Sequence, residues 1–355
     1  MIRKLQFTQL IGLIWIVCSC SVNKTIPSFE DFPKIDAHVH IQTASPEIMK
    51  VAQNENFKFI TLCVMSHSRE YIDMQLKFAK AQKKQFPKSL AYTTTFSMEG
   101  FEEPGWLEEV IKKLKEDFEE GAIGVKVWKD IGMTFRDSLG NFIMIDDQLF
   151  DPIFNFIETE GKIVVGHLGE PKNCWLPIDS MTVNGDKAYY GGHPQYHMYK
   201  HPDDPSYDVQ IAARDRRLEK NPNLRFIGAH LGSLEWSVDE LAKRLDKYPK
   251  FAVDMAARVC HFQVQDSKKV RDFIIKYQDR IMYATDFGIS DDDNFQEFVT
   301  EIKEEWRSDW KYFSTKDEMS NSKVDNKING LALDVEVLEK IYYKNVFQWF
   351  PGVFE

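Results

Sequence analysis

Residues 162–169 read KIVVGHLG and residues 224–232 read LRFIGAHLG. Each is a short apolar run of strand length that stops at His-Leu-Gly, and the recurrence of that tripeptide after two separate runs is hard to assign to core packing. Working outward, similar runs stand at 34–40 (KIDAHVH), 57–64 (FKFITLCV), 89–96 (SLAYTTTF), 122–128 (AIGVKVW), 250–254 (KFAVD) and 280–285 (RIMYAT). Between them lie longer stretches with apolar residues at three- and four-residue spacing, among them 70–84, 105–119, 147–160, 237–247 and 265–277. Strands alternating with amphipathic helices predict parallel strands joined by crossovers, and eight such units have the size of a (β/α)8 TIM barrel in the α/β class.

Two segments break the rhythm. Residues 171–207, directly after the fifth strand, are rich in Gly, Pro, aromatic residues and His (His193, His197, His201). Loops at the carboxyl ends of barrel strands build active sites, so this loop is expected to cover the mouth. Residues 306–335 mix charges with Ser and Asn and read as an elaboration on the last crossover, before a closing helix near 335–348.

The 355 residues carry 45 basic and 55 acidic side chains, a net charge of -10, with 43% hydrophobic and 13% aromatic content. Such a chain buries a large core, and its acidity gives no support to nucleic-acid binding. Cys18, Cys20, Cys63, Cys174 and Cys260 include no C-x-x-C pair, so a metal must find other ligands. Arg3 and Lys4 precede the apolar run Leu10 to Val17, and Val17-Cys18-Ser19-Cys20 resembles a bacterial lipobox. The expected organisation is a lipoprotein signal peptide over 1–19, a tether over 20–32 anchored through a lipid on Cys20, and a barrel domain over 33–355. That places the mature protein in the cell envelope, at the outer membrane facing the periplasm.

Polar residues sit where the strands end. His38 and His40, at i and i+2, project to one side of the first strand. Lys126 lies in the fourth strand, His167 ends the fifth, His230 the sixth and Asp286 the eighth. Four imidazoles, a carboxylate and an amine on one rim suit zinc or a similar divalent ion.

With these residues in hand, the chain resembles the amidohydrolase superfamily of metal-dependent TIM-barrel hydrolases, in particular its amidohydrolase-2 family. The resemblance runs from about Pro33 to Pro351 and includes Tyr343-Lys344-Asn345-Val346-Phe347, which is similar to the family's closing helix with Val in place of Ala. It implies His38, His40, His167, His230 and Asp286 as metal-site residues. Lys126 is implied either as a carboxylated bridge between two metals or as a plain amine facing an anionic substrate. The cofactor implied is a divalent metal, zinc first and manganese second, as one or two ions.

The chemistry that follows is attack by metal-activated water on a small lactone, ester or amide, with Asp286 as proton shuttle and His230 orienting the water or polarising the carbonyl. Lys126 or Arg258 would stabilise the negative intermediate. Glu170, Tyr196 and Arg258 are the residues expected on the substrate side, with Glu170 as a partner for a metal-bound His. Arg258 has a competing reading as a salt bridge to Asp254. Two other functions fit the sequence: non-oxidative decarboxylation of a small aromatic or enoic acid, and a non-catalytic ligand-binding envelope lipoprotein. A small-molecule substrate and the membrane are the expected partners, a homo-oligomer is allowed, and nucleic acid is not expected.

Overall fold

The computed structural model describes residues 26–64 and 68–355. The stretch expected to be a signal peptide, with Cys18 and Cys20, lies outside the described residues. Eight parallel strands form the frame: β1 (Lys34–Gln42), β2 (Phe57–Leu62), β3 (Leu90–Thr93), β4 (Gly124–Val127), β5 (Ile163–Gly166), β6 (Phe226–Gly228), β7 (Phe251–Asp254) and β8 (Ile281–Met282). A short β9 (Gly288–Ser290) follows β8. The strands run β3-β2-β1-β9 in one sheet and β4-β5-β6-β7-β8 in the other. The two sheets join at both seams. Thr94 bridges to Val125, and the Ala37 N–H donates to the Tyr283 carbonyl at 3.1 Å. The chain therefore closes into the (β/α)8 barrel expected from its alternation.

The alternating pattern of each strand explains the two layers. Outward residues such as Val125, Val127, Phe226, Phe251 and Tyr283 pack with the helices, while Ile35, Ile60, Ala91, Ile163, Ile227 and Met282 fill the barrel interior. Val346, Trp349, Phe350, Val353 and Phe354 join that interior cluster and plug the end where the strands begin. Asn345 holds the plug in place, its amide donating to the carbonyls of Gln278 (2.6 Å) and Ile281 (2.8 Å). The polar ends of the strands are left for the opposite mouth.

The anticipated helices form as Arg69–Gln85, Trp106–Glu119, Asp151–Thr159, Val238–Lys247 and Ser267–Lys276. Ser68, Ser237 and Asp266 cap three of them by accepting a backbone N–H three residues on, the usual device for the orphan amides of a first turn. Tyr207–Lys220 and Phe295–Ser314 complete the crossovers after β5 and β8. The expected boundary at Trp306 falls inside that last helix. Trp306 is fully buried and stacks on Phe57 at 4.2 Å between ring centroids, so the true elaboration begins after Ser314, with a small hairpin pairing Glu318–Met319 with Ile328–Asn329. At the other end, Phe29 and Phe32, in the stretch read as tether, are buried against Trp310. No helix among the described residues is long and apolar enough to cross a membrane.

Candidate metal centre

The first-strand histidines reach one side of β1 through an irregularity. The β1–β2 register shifts between Asp36 and Val39. Ile35 and Ala37 belong to the barrel interior, whereas Val39 and Ile41 pack outward, so the inward set changes from odd to even positions at His38. A bulge of this kind re-aims side chains. Asp36 secures it: its carboxylate accepts the His38 N–H (3.2 Å), the Thr285 N–H (3.1 Å) and the Thr285 hydroxyl (2.6 Å), tying β1 to the end of β8.

Asp286 stands at the centre. Its Oδ1 lies 3.1 Å from His38 Nε2 and 3.3 Å from His40 Nε2, and its Oδ2 lies 4.0 Å from His230 Nδ1. Among the described residues, one group of three ligand atoms, from His38, His230 and Asp286, lies within 4.8 Å of one another. His40 joins this group through Asp286, and Lys126 through its Nζ, 3.0 Å from His38 Nε2. His167 stands beside it, its ring centroid 4.1 Å from that of His230. His38 is fully buried, but His40 is 17% and Asp286 30% exposed, so the centre opens to solvent on the Asp286 side.

The hydrogen bonds assign tautomers. His40 Nδ1 bonds to the Leu62 carbonyl (2.8 Å) and His230 Nδ1 to the Ala256 carbonyl (2.9 Å), so each Nδ1 carries the proton and each Nε2 keeps its lone pair. His38 Nδ1 bonds to Asp254 (2.9 Å). Burial lowers the pKa of His40, and it holds His167 and His230 well below the usual histidine range, with Lys129 adding to the effect on His167 and His167 adding to that on His230. His38 is also pushed down by burial and by Lys126, but Asp254 and Asp286 outweigh them and its pKa is raised. Burial disfavours the Asp286 carboxylate, yet His230 and His38 overcome it and hold the group well below its ordinary value. Burial brings the Lys126 amine down to about 8.

These features fit a divalent metal. The decisive one is His167 Nε2, a buried nitrogen with no hydrogen-bond partner. Such an orphan is costly unless something else binds it. The neutral imidazoles of His40, His167 and His230 and the ionised Asp286 carboxylate are also in the protonation states a metal requires.

The other expected residues divide. Glu170 pairs with the Lys129 ammonium, and its second oxygen lies 3.6 Å from His167 Nε2, beyond hydrogen-bond range. Arg258 does not pair with Asp254; its guanidinium donates to the Ala257 carbonyl, and its Nε is buried without a partner. Burial works against the Arg258 charge, but Asp186 and Glu235 raise its pKa. Tyr196 is 52% exposed and stacks with Tyr189 and His193, outside the cluster. His193, His197 and His201 bond to backbone carbonyls of their own loop. That loop lies at the mouth end: Lys172 N–H donates to Glu235 after β6 (2.8 Å), and Asp186 lies 3.4 Å from His261 after β7. Lys129 and Asp254 were not anticipated. Asp254 was legible as the one charged residue in an otherwise apolar strand, FAVD, whereas Lys129 follows β4 with no local signal.

The amidohydrolase family profile matches residues 102–350, more than half of the chain. The chain belongs to the amidohydrolase family. The matched range begins after β3, so the His38–His40 pair of this amidohydrolase enters the site on geometry alone. A solved amidohydrolase II is similar in fold, with a TM-score of 0.54 and 15% identity over 89% of this chain and 99% of that one. The 2,6-dihydroxybenzoate decarboxylase from Rhizobium gives a TM-score of 0.53 and 13% identity over 90% and 98%. A 2,6-dihydroxybenzoate decarboxylase complexed with 2,6-dihydroxybenzoate gives 0.53 and 14% over 90% and 99%. A search of curated proteins finds no match.

Proposed function

We propose that this amidohydrolase hydrolyses a lactone, ester or amide bond of a small molecule at one divalent ion, zinc or, second, manganese, held by His38, His40, His167 and Asp286 with His230 alongside. The observation that carries this reading is the Asp286 carboxylate, set among three imidazoles yet partly open to solvent. When bound, the metal lowers the pKa of its water to about 7 and polarises the scissile carbonyl.

Asp286, ionised and exposed at the mouth, takes the proton of the attacking water and passes it to the leaving group. His230 donates its Nδ1 proton to Ala256, which leaves Nε2 as an acceptor; it orients the water rather than polarising the carbonyl. Lys126 and Arg258 supply positive charge for the developing oxyanion. The loop over 171–207 closes over the substrate, with Glu170 and Lys129 at its base. In this reading Lys126 acts as an unmodified side chain, its Nζ 3.0 Å from His38 Nε2.

The test is a panel of lactones, amides and aromatic acids with the zinc-loaded and manganese-loaded protein, followed by metal analysis. Hydrolysis with oxygen incorporated from labelled water and one metal per chain are expected. Two metals per chain would make Lys126 a carboxylated bridge. Release of carbon dioxide without oxygen incorporation would establish non-oxidative decarboxylation instead. That second reading is favoured by the cations Lys126, Lys129 and Arg258, which suit a substrate carboxylate, and by the decarboxylase of similar fold.

We also propose that a lipid on Cys20 anchors the enzyme in the cell envelope, at the outer membrane facing the periplasm. Loss of membrane fractionation and of fatty-acid labelling in a Cys20→Ser variant is the expected result; unchanged labelling would remove the anchor.

A further inference from the structure

The mechanism above leaves Asp254 without a task, although it is fully buried at the end of β7. Its two oxygens are both engaged. Oδ2 lies 2.9 Å from His38 Nδ1, and Oδ1 accepts the backbone N–H groups of His230 (2.8 Å) and Ala256 (3.1 Å). The Ala256 carbonyl in turn holds His230 Nδ1 at 2.9 Å. One carboxylate therefore fixes the His38 ring directly, the His230 backbone directly, and the His230 ring through Ala256.

The His230 backbone needs holding. It sits at φ 58°, and Leu231 follows at φ 57°, both in the left-handed region that side chains with a Cβ rarely adopt. The turn directs His230 toward the centre instead of continuing the strand. His38 needs a tautomer: with the proton on Nδ1 its Nε2 lone pair faces Asp286 and the metal position, and with the proton on Nε2 it would present N–H there and could not coordinate. A carboxylate, which only accepts, selects the first.

We propose that Asp254 is a positioning residue for the metal centre: it fixes the His38 tautomer with one oxygen and the His230 turn with the other. The inference rests on the metal reading of the site but not on the reaction assigned to it. An asparagine cannot replace it. If its oxygen stays on the His230 and Ala256 amides, its NH2 points at His38 Nδ1 and drives the proton to Nε2. If it is flipped to accept from His38, its NH2 meets two N–H donors.

The test uses zinc alone. Zinc affinity of the full chain is measured by competition with a chromophoric chelator, for the wild type and for Asp254→Asn, together with the melting temperature of each metal-free protein. The expected result is about 10–100-fold weaker zinc binding, the usual loss when an outer partner of a metal-bound histidine is removed, with a lowered metal-free melting temperature because the buried donors of His38, His230 and Ala256 lose their carboxylate. Equal zinc affinity in the two proteins would overturn the proposal. Nitrogen NMR of zinc-loaded wild type decides the matter if the variant does not fold: His38 protonated at Nδ1 and coordinated through Nε2 supports the assignment, and coordination through Nδ1 overturns it. Failure of the wild type to bind zinc would bring down the metal reading and the proposal with it. Tight zinc binding without hydrolysis would remove only the reaction.

Discussion

Replacing Asp286 with asparagine separates the proton shuttle from the architecture around it. Asp286 adopts φ 72°, a conformation that Asp and Asn tolerate better than other residues with a Cβ, so the substitution adds little backbone strain. The side chain is 30% exposed and reaches His38 and His40 at 3.1 and 3.3 Å, contacts an amide of the same shape can still approach. What the amide lacks is the negative charge and the capacity to take a proton. Proton transfer by a placed side chain contributes about 10²–10⁴-fold, which corresponds to about 2.7–5.4 kcal/mol of barrier. The assay is initial rates at saturating zinc, with metal content and melting temperature on the same preparations. A fall in kcat of at least about 100-fold, with KM little changed and zinc still bound at saturation, is expected for a group that acts in the transition state. Activity within about tenfold of wild type in the zinc-loaded variant would refute Asp286 as the proton carrier.

Trp306→Ala removes a fully buried indole stacked on Phe57, and urea denaturation should show a loss of about 3–5 kcal/mol; a loss below about 1 kcal/mol would place Trp306 outside the core. Asp186→Asn weakens a joint that fastens the mouth loop to itself through Asn173 (2.8 Å) and to His261 after β7 (3.4 Å), so hydrogen exchange should accelerate over residues 172–192, and an unchanged pattern would refute the joint. Lys34 is brought by burial from 10.5 down to about 8 in the folded state. Between those values the unfolded chain holds more protons than the folded one, so this group makes stability rise with pH, by up to about 1.4 kcal/mol per pH unit. Urea midpoints measured across that window for wild type and Lys34→Met should diverge in slope, and parallel curves would count against the burial of that charge.

The sequence disclosed the barrel because each strand carries its own signal, and it disclosed much of the rim because polar residues at strand ends have few other reasons to be there. Gly166 and Gly228, which precede the two His-Leu-Gly stretches, are register partners. A Cβ on Gly166 would stand 2.3 Å from the Phe226 ring and one on Gly228 2.7 Å from the Phe251 ring, so those glycines mark where the neighbouring strand's aromatic passes close. Less legible was whatever depends on contact between distant segments. The helix from Phe295 to Ser314 buries Val299, Ile302, Trp306 and Phe313, an apolar spacing that its dense charges obscure. Asp254 and Arg258 sit four residues apart and invite pairing on charge alone. Their separation follows from the pleat, which sends Asp254 into the barrel, where His38 meets it from β1 on the far side of the β7–β8–β1 seam. Tyr196 is aromatic and lies in the mouth loop, but its ring is half exposed and stacks on Tyr189 and His193.

The cost of gathering these side chains is visible in the backbone. Among the described residues, eight non-glycine positions have positive φ, and five of them, His230, Leu231, Ser233, Ala257 and Asp286, stand just beyond β6, β7 and β8. Such conformations cost of order 1–3 kcal/mol each and persist only where the surroundings fix them. Four of the five have a fixture of their own. Asp254 holds the amide of His230, the Ser233 hydroxyl donates to the Gly169 carbonyl (2.7 Å), the Ala257 N–H donates to Thr285 (3.1 Å), and the Asp286 N–H donates to His38 (2.9 Å). Every one of these bonds crosses from one strand end to another, so the strain at one position is resisted by the barrel as a whole. A strand that simply continued would carry His230 and Asp286 past the centre. The left-handed turns bend them back over it, and the buried carboxylates Asp36 and Asp254 tie that bend to the first strand, which carries His38 and His40.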